Sequence, residues 1–245
     1  MKPKTAKKIL ESVKDTYNHI AEEFSDSRGA AWKDFEHFLP YLHSVESRKT
    51  EILDLGCGNG RFLNFLEEKA TNFHYTGIDN SKNLIHIAAQ KHPNNNFLLG
   101  DFLEIPAPDE QFNAIVSIAA FHHLPTLELR KKALQEMLRV LKPGGIMILT
   151  TWNLWQKKYW RLALNAFSQS ISSDTAFNDF FVPWGKEKTP RYYHAFTPPE
   201  LIKVVNKAKL NGNSFEIIET FSVKKGQKMS FLKSFNFCLI AKKHE

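Results

Sequence analysis

The chain has 245 residues, 42% of them hydrophobic, and 33 Lys and Arg against 26 Asp and Glu give it a net charge of +7. This length can bury one full hydrophobic core, so we expect a single domain over residues 1–245 that includes an insertion. The sequence has only two cysteines, which argues against a disulfide framework or a metal site and favours a cytoplasmic protein. It has no run of about 20 apolar residues, which argues against a signal peptide and a membrane span.

The N-terminal residues 1–45 are predicted to be helical. Apolar side chains recur at three- and four-residue steps and predict a helix over residues 5–25: Ile9, Val13, Tyr17, Ile20 and Phe24. A second helix is expected over residues 35–42, where Pro40 bends or ends it because proline has no backbone N–H to donate.

Residues 51–61 read E-I-L-D-L-G-C-G-N-G-R and predict a buried strand, a glycine-rich turn and a helix over residues 61–69. Gly56, Gly58 and Gly60 allow a sharp turn and a close backbone approach to a ligand, and the helix start offers free N–H donors. The spacing is one residue tighter than the dinucleotide fingerprint G-x-G-x-x-G, which disfavours an NAD-linked dehydrogenase. An ordinary turn with glycines for packing is the alternative.

Three more strands are predicted over residues 73–78, 96–99 and 112–118. Each is followed by side chains at its carboxyl end, where ligands bind in open parallel sheets: Asp79 and Asn80, then Asp101 and Phe102, then Ile118, His122 and His123. A carboxylate at the second strand can accept two hydrogen bonds from ribose hydroxyls. A turn cap is the alternative for Asp101.

The remaining pattern predicts the rest of an α/β fold. A helix over residues 127–140 ends at L-K-P-G-G and is followed by a strand over residues 146–151. After a helix over residues 198–207, two strands near residues 214–224 and 234–242 form an antiparallel pair joined by a basic loop. We therefore expect a Rossmann-like fold with a seven-stranded, mostly parallel sheet, helices on both faces and an antiparallel C-terminal strand.

D-L-G-C-G-N-G resembles motif I of the class I S-adenosylmethionine (SAM) methyltransferases. Residues 17–24, Y-x-x-I-A-x-x-F, look like the lid helix of many of these enzymes, and L-K-P-G-G is a further similarity. The resemblance implies SAM as the cofactor, with Asp101 at the adenine amino group and Phe102 at the adenine face. It implies these cofactor-binding residues: Tyr17, Asp54, Gly56, Gly58, Gly60, Asp79, Asn80, Asp101, Phe102 and Ile118. Plain core packing is the alternative for Tyr17.

Residues 152–194 form an insertion rich in aromatic and basic side chains. Residues 151–245 carry 15 Lys and Arg against 7 Asp and Glu, whereas residues 51–150 carry 9 against 11. A one-sided basic excess with aromatic rings suits an unpaired nucleic-acid loop, because phosphates meet cations and bases stack on rings. An aromatic flap over a substrate cavity and a lysine-rich solvated surface are the alternatives.

Several stretches look like the tRNA wobble-uridine methyltransferases that esterify 5-carboxymethyluridine. The most specific are F-V-P-W at residues 181–184 and R-Y-Y-H at residues 191–194; S-I-A-x-x-H-H at residues 117–123 also matches. The resemblance implies a tRNA anticodon loop as substrate and a small zinc-containing activator subunit as partner. Two alternatives stay open: a small-molecule methyltransferase of quinone or natural-product type, and a non-catalytic RNA-binding subunit that retains the fold.

The residue types suit transfer of a methyl group to a carboxylate. A carboxylate is already ionised at pH 7, so the reaction needs placement rather than a strong base. We predict that Arg28 and Arg191 grip the carboxylate, since a guanidinium matches it bidentately, and that the pair His122 and His123 provides a hydrogen bond to the base or the ester oxygens. The predicted substrate-binding residues are Trp32, His123, Trp184, Tyr192, Tyr193 and His194. A core role is the alternative for Trp32, Tyr192 and Tyr193, and one histidine of the pair is expected to be packed or exposed.

Overall fold

The computed structural model describes residues 1–29, 32–42, 49–70 and 72–244, and its framework is one twisted sheet. The strands of the described residues are β1 Thr50–Leu55, β2 Phe73–Asp79, β3 Asn96–Leu99, β4 Phe112–Ile118, β5 Leu141–Trp152, β6 Asp179–Trp184, β7 Thr189–His194, β8 Lys209–Leu210, β9 Asn213–Lys224, β10 Gln227–Lys228 and β11 Asn236–His244. The α-helices are α1 Pro3–His19, α2 Ala21–Asp26, α3 Arg61–Lys69, α4 Lys82–Lys91, α5 Leu127–Val140, α6 Trp160–Ser172 and α7 Pro198–Asn206. Short 3₁₀ segments cover Lys33–Tyr41, Phe121–His123, Lys157–Tyr159 and Phe231–Lys233.

The large sheet has the strand order β10-β9-β11-β5-β4-β1-β2-β3, with β8 paired to β9. Strands β3, β2, β1, β4 and β5 run parallel, and β11 is antiparallel to both β5 and β9. The predicted Rossmann-like fold is therefore confirmed. The sheet has nine strands among the described residues instead of seven, because two-residue strands β8 and β10 extend the ends of β9.

Each face of the sheet buries its own apolar layer. Leu53, Ile115 and Leu149 point to a layer shared with α5 and α7, whereas Ile52 and Val116 point to a layer shared with α3 and the Lys33–Tyr41 segment. Side chains on a strand alternate between faces, so apolar runs such as I-V in β4 fill both layers. This double covering leaves the carboxyl ends of the strands as the open edge.

Three predicted boundaries are wrong, each for a local reason. The helix over residues 5–25 is interrupted at Ile20, whose ψ of 9° separates α1 from α2. The helix over residues 35–42 is a 3₁₀ segment that contains Pro40, whose missing N–H weakens an α-helix. Strand β5 begins at Leu141 rather than residue 146, because a shift in register after Phe112 keeps L-K-P-G-G in the strand.

The N-terminal helices close over the open edge of the sheet through polar contacts. The Asn18 side-chain oxygen accepts from Ser81 Oγ at 2.9 Å, beside the start of α4. Asn59 Nδ2 donates to Ser25 Oγ at 3.1 Å, and Lys91 Nζ donates to the same hydroxyl at 2.6 Å. These contacts hold α1 and α2 against the glycine-rich turn.

Residues 152–194 fold into a 3₁₀ turn, α6 and the hairpin β6–β7, which is a separate two-stranded sheet. Phe180 and Tyr193 of the hairpin share a small core with Leu154. Within the described ranges, none of the helices combines the length and the apolar character that a membrane span requires.

Candidate active site

A cavity of ≈ 300 Å³ lies at the carboxyl ends of β1, β2, β4 and β5, under α1 and α2. The predicted site residues that line it are Tyr17, Arg28, Trp32, Asp54, Gly56, Gly58, Asp79, Asn80, Asp101, Phe102, Ile118, His122, His123, Arg191 and Tyr193. The cavity therefore brings together side chains from the lid, the sheet and the β6–β7 hairpin.

The glycine-rich turn borders the cavity through Gly56 and Gly58. Gly56, Gly58 and Gly60 have φ of 80°, 58° and 78°, in the region that glycine adopts without strain. A Cβ on Gly56 would lie 2.4 Å from the Ala120 Cβ. Gly60 does not line the cavity: a Cβ there would meet the His92 ring at 3.1 Å, so its role is to start α3 beside that ring.

Two acids lie at the carboxyl ends of neighbouring strands: Asp54 is buried near the end of β1, and Asp79, the last residue of β2, is half-buried. The Asp79 carboxylate accepts from the N–H groups of Gly58 and Ser81, both at 2.9 Å, which fixes it beside the turn. Asp54 Oδ2 accepts from the Tyr75 hydroxyl at 2.8 Å, and burial raises the pKa of Asp54 to about 7. Asp54 Oδ1 is buried and has no hydrogen-bond partner among the described residues.

Asp54 and Asp79 fit the amino-acid and ribose portions of SAM, respectively. A buried carboxylate oxygen without a partner is costly unless a ligand donates to it, and an ammonium group is such a donor. Asp79 keeps lone pairs for ribose hydroxyls beside its two backbone bonds. Asp101 Oδ1 accepts from Leu103 N–H at 2.7 Å, so it caps a turn while it lines the cavity beside Phe102.

Arg191 on β7 is the largest fully buried side chain, at 2% exposure. Its Nη1 donates to the Tyr17 hydroxyl at 3.2 Å, but Nε and Nη2 are buried without acceptors, and no ion pair of the described residues includes it. Four rings surround the guanidinium carbon at centroid distances of 5.7, 5.8, 5.2 and 5.3 Å: Tyr17, Trp152, Trp184 and Tyr193. Cation–π contacts with these rings stabilise the cation, while the N–H groups on Nε and Nη2 stay available to a ligand.

The two histidines after β4 have different hydrogen bonds. His123 Nδ1 lies 2.6 Å from the Tyr192 carbonyl oxygen and therefore donates, so Nε2 accepts from the Tyr17 hydroxyl at 3.0 Å. His122 Nδ1 accepts from the Trp152 N–H at 3.3 Å, which assigns the ring proton to Nε2. Nε2 is buried and has no partner among the described residues.

Both histidines are neutral at pH 7. Burial lowers the pKa of His123 to about 3, and burial together with His123 and Arg191 lowers the pKa of His122 well below its usual range. His122 is therefore a neutral donor that lines the cavity, whereas both nitrogens of His123 are used in holding Tyr17 and β7.

Arg28 adds a second guanidinium to the cavity. It is half-buried, lies 5.2 Å from the Phe24 ring centroid, and its pKa is lowered by burial and by Arg191. Trp32 covers the guanidinium of Arg61 at 4.1 Å. Three guanidinium groups therefore line this part of the cavity, those of Arg28, Arg61 and Arg191. None of them forms an ion pair with an acidic side chain of the described residues.

Three predicted substrate residues do not line the cavity. Tyr192 and His194 lie on the opposite face of β7, because side chains alternate along a strand and R-Y-Y-H cannot present four residues to one side. The Trp184 ring on β6 contacts the Arg191 guanidinium but does not line the cavity.

Trp152 is a cavity residue that we did not assign to the site from the sequence. Its ring stacks on Tyr193 at a centroid distance of 5.3 Å and an interplanar angle of 3°. The sequence feature that indicates its role is its position at the carboxyl end of the predicted fifth strand, the edge where ligands bind in such sheets.

Sequence comparison agrees with this geometry. A family profile described as "Methyltransferase domain" matches residues 52–145. A tRNA (carboxymethyluridine(34)-5-O)-methyltransferase from Schizosaccharomyces pombe is 30% identical over 81% of this chain and 88% of that protein. The Arabidopsis thaliana protein of the same name is 38% identical over 61% of this chain. The chain spans 34% of the length of the Arabidopsis relative and 20% of a mouse relative.

Solved structures share the fold. A SAM-dependent methyltransferase from Methanosarcina mazei matches with a TM-score of 0.66 and 24% identity over 85% of this chain and 97% of that one. A structure described as a complex between the Haloferax volcanii Trm112 methyltransferase activator and a putative methyltransferase matches with a TM-score of 0.60 and 17% identity, over 95% and 98% of the two chains.

Proposed function

Because this chain belongs to the tRNA (carboxymethyluridine(34)-5-O)-methyltransferase family, we propose that it transfers the methyl group of SAM to the carboxylate of 5-carboxymethyluridine at the wobble position of tRNA. The observation that carries the proposal is Arg191, a buried cation whose nitrogens Nε and Nη2 find no acceptor among the described residues. A buried guanidinium of this kind matches a carboxylate bidentately.

In this proposal Arg191 and His122 position the nucleophile. The guanidinium holds the carboxylate by charge-assisted hydrogen bonds, and neutral His122 donates through Nε2. Arg28 adds positive charge from the lid. Because the carboxylate is already ionised, the protein supplies orientation and exclusion of water, and orientation can lower a barrier by about 7–11 kcal/mol.

The cofactor of the family, SAM, supplies an electrophilic methyl group: its carbon–sulfur bond breaks as the new carbon–oxygen bond forms, which leaves S-adenosylhomocysteine and the ester. Asp54 holds the ammonium group and Asp79 the ribose hydroxyls, while Gly56 and Gly58 give the backbone room. Asp101 and Phe102 bind the adenine. Trp32 and Tyr193 offer faces on which the flipped uracil stacks.

A methylation assay tests the proposed function. The protein and SAM are incubated with tRNA from cells that lack the esterifying activity, and the nucleosides are analysed by mass spectrometry. We expect a new methyl ester at the wobble uridine, and none with tRNA that lacks the carboxymethyl group. If no tRNA pool gains an ester while SAM binds tightly, the proposal is wrong and the chain is a binding subunit. An ester on a small carboxylic acid alone would instead favour a small-molecule methyltransferase.

We also propose a small zinc-containing activator subunit as partner, bound at the edge of the sheet formed by β3. Leu99 is 56% exposed there, and an edge strand offers unpaired backbone groups to a partner. The Haloferax volcanii protein of similar fold is described in complex with the Trm112 methyltransferase activator. Co-expression with a Trm112-type subunit should yield a stable complex that Leu99→Glu disrupts; full activity of the chain alone would contradict the proposal.

We further propose that the chain acts in the cytoplasm as a single catalytic domain, with residues 1–45 as a lid and residues 152–194 as the substrate insertion. Two free, buried cysteines, Cys57 and Cys238, suit a reducing compartment. Cell fractionation followed by immunoblotting tests the location.

A further inference from the structure

Two lysines from distant parts of the chain meet on one aromatic ring beside the cavity. Lys158 Nζ lies 5.4 Å from the centroid of the Phe235 ring, and Lys224 Nζ lies 4.6 Å from the same centroid. The two ammonium groups are therefore no more than about 10 Å apart, within one Debye length at 0.1 M salt. Their repulsion is incompletely screened, so a site between them favours an anion.

More cations surround this pair. Lys225 lies in the loop after β9, Lys233 lies two residues before Phe235, and Lys33 packs against Gly226 of the same loop. None of these lysines forms an ion pair within the described part of the chain. Lys228, in contrast, is neutralised by Glu219 at 2.5 Å. We name the group Lys33, Lys158, Lys224, Lys225, Lys233 and Phe235 the Phe235 surface.

Two hydrogen bonds link the Phe235 surface to residues that are close in sequence to cavity residues. The Phe235 carbonyl accepts from Asn153 N–H at 2.9 Å, and Asn153 follows the cavity residue Trp152. On the other side, the Gly226 N–H donates to Asp34 Oδ1 at 2.6 Å, and Asp34 is two residues from the cavity residue Trp32. A polymer with one unit in the cavity would therefore cross this surface with its neighbouring units.

We propose that the Phe235 surface binds the phosphate backbone of the RNA strand that flanks the nucleotide in the cavity. Paired ammonium groups neutralise phosphates, and the Phe235 ring holds the two lysines together through cation–π contacts. The inference rests on the proposed function, since it assumes an RNA substrate, and it adds the surface that makes the chain select a polymer over a free carboxylic acid.

The test is the salt dependence of tRNA binding by a charge-reversal variant. Lys158→Glu with Lys224→Glu is compared with a control of equal charge change, Lys203→Glu on α7 with Lys207→Glu at the C-cap of that helix, whose side chains are exposed and outside the Phe235 surface. Loss of two phosphate contacts lowers the slope of log K against log salt by about 1.4–1.8 and weakens binding at least about tenfold at low salt. SAM affinity, measured by calorimetry, should stay within twofold of the wild type.

The outcomes separate the inference from the proposed function. The inference is wrong if the wild type methylates tRNA but the Lys158/Lys224 variant and the Lys203/Lys207 control have the same slope of log K against log salt and the same KM for tRNA. If the wild type shows no salt-dependent tRNA binding, the proposed function itself fails. If charge reversal lowers the melting temperature, Lys158→Gln with Lys224→Gln gives the same comparison without new acids, and an unchanged slope in that variant also overturns the inference.

Discussion

The two faces of strand β7 hold buried charge in different ways. On the cavity face, the Arg191 nitrogens Nε and Nη2 have no acceptors among the described residues. On the opposite face, the His194 ring lies between two carboxylates, with Nδ1 3.0 Å from Asp179 and Nε2 2.7 Å from Glu200. The same short strand thus carries an unsatisfied cation on one side and a saturated polar cluster on the other.

This difference separates binding residues from structural ones. A buried polar group without a partner costs free energy, so such a group in a cavity wall indicates that a ligand completes its bonds. Asp179 also accepts from the Tyr192 hydroxyl at 2.6 Å, and hydrogen bonds to His194 and Tyr192 help to keep the pKa of Asp179 low against the effect of burial. The saturated face anchors β7, and the unsatisfied face receives the substrate.

Replacement of Arg191 should have the largest effect on activity. Arg191→Met keeps most of the volume but removes the donors, so we expect tRNA methylation to fall about 10²- to 10³-fold, the value of two charge-assisted hydrogen bonds. SAM affinity should change little. The melting temperature should not fall, because a buried cation without an acidic partner does not stabilise the fold.

Single-turnover methylation and calorimetric SAM titration check this prediction. Arg191→Lys is the matched control: it keeps the charge and loses the bidentate fork, so an intermediate rate is expected. Equal losses of SAM binding and of methylation in both variants would show that Arg191 serves the cofactor instead of the carboxylate.

Replacement on the saturated face should instead lower stability. Asp179→Asn removes the charge that His194 and Tyr192 contact, and breaking a buried pair costs about 3 kcal/mol in the free energy of unfolding. Urea denaturation measures the loss. Glu216→Gln, which breaks the exposed pair with His244 at 3.7 Å, is the control and should cost less than about 1 kcal/mol. If Asp179→Asn and Glu216→Gln lose the same free energy of unfolding, the Asp179 face of β7 is not the stabilising one and the comparison of the two faces is wrong.

The sequence predicts the order of strands and helices well because apolar runs and glycine spacing are local signals. It also predicts that Arg28, Arg191, Asp54 and Asp79 share one cavity, since each follows a strand or belongs to a family motif. It does not predict which residues of R-Y-Y-H face the ligand. That choice depends on the register of β6 with β7 and on Asp179, which lies 12 residues before Arg191 and holds Tyr192 on the far side.

Packing accounts for the other differences. Gly60 belongs to the glycine motif, yet the His92 ring occupies the space beside it. Trp152 lies at the end of a strand whose length depends on a register shift near Phe112, and no local pattern signals that shift. Such features arise from contacts between elements, so a single sequence does not reveal them.

A third prediction concerns Asp54, the unsatisfied acid among these cations. Its pKa of about 7 lies above the ordinary value of 3.8, so the ligand-free protein should lose stability as pH rises from about 4 to about 7. SAM requires the ionised form for its ammonium group. Its affinity should therefore increase up to tenfold per pH unit below pH 7 and level off above it.

Calorimetry in buffers of different ionisation enthalpy checks the Asp54 prediction, because binding below pH 7 should release a proton. Asp54→Asn is the control and should bind SAM weakly, with no change in affinity between pH 6 and pH 8. A proton release that persists in Asp54→Asn would assign the titration to another group.

The smallest expected effect comes from adjacent tyrosines on the two faces. Tyr192→Phe loses one hydrogen bond to Asp179 and should cost about 1 kcal/mol of unfolding free energy, with methylation within twofold of the wild type. Tyr193→Phe keeps the ring that stacks on Trp152 but removes the hydroxyl of a cavity residue whose ring lies 5.3 Å from the Arg191 guanidinium carbon, so it should raise the KM for tRNA several-fold and leave stability nearly unchanged. Because the two changes delete the same atom from neighbouring residues, their opposite outcomes would depend only on the face of β7. A reversed pattern would mean that the substrate approaches from the Asp179 side.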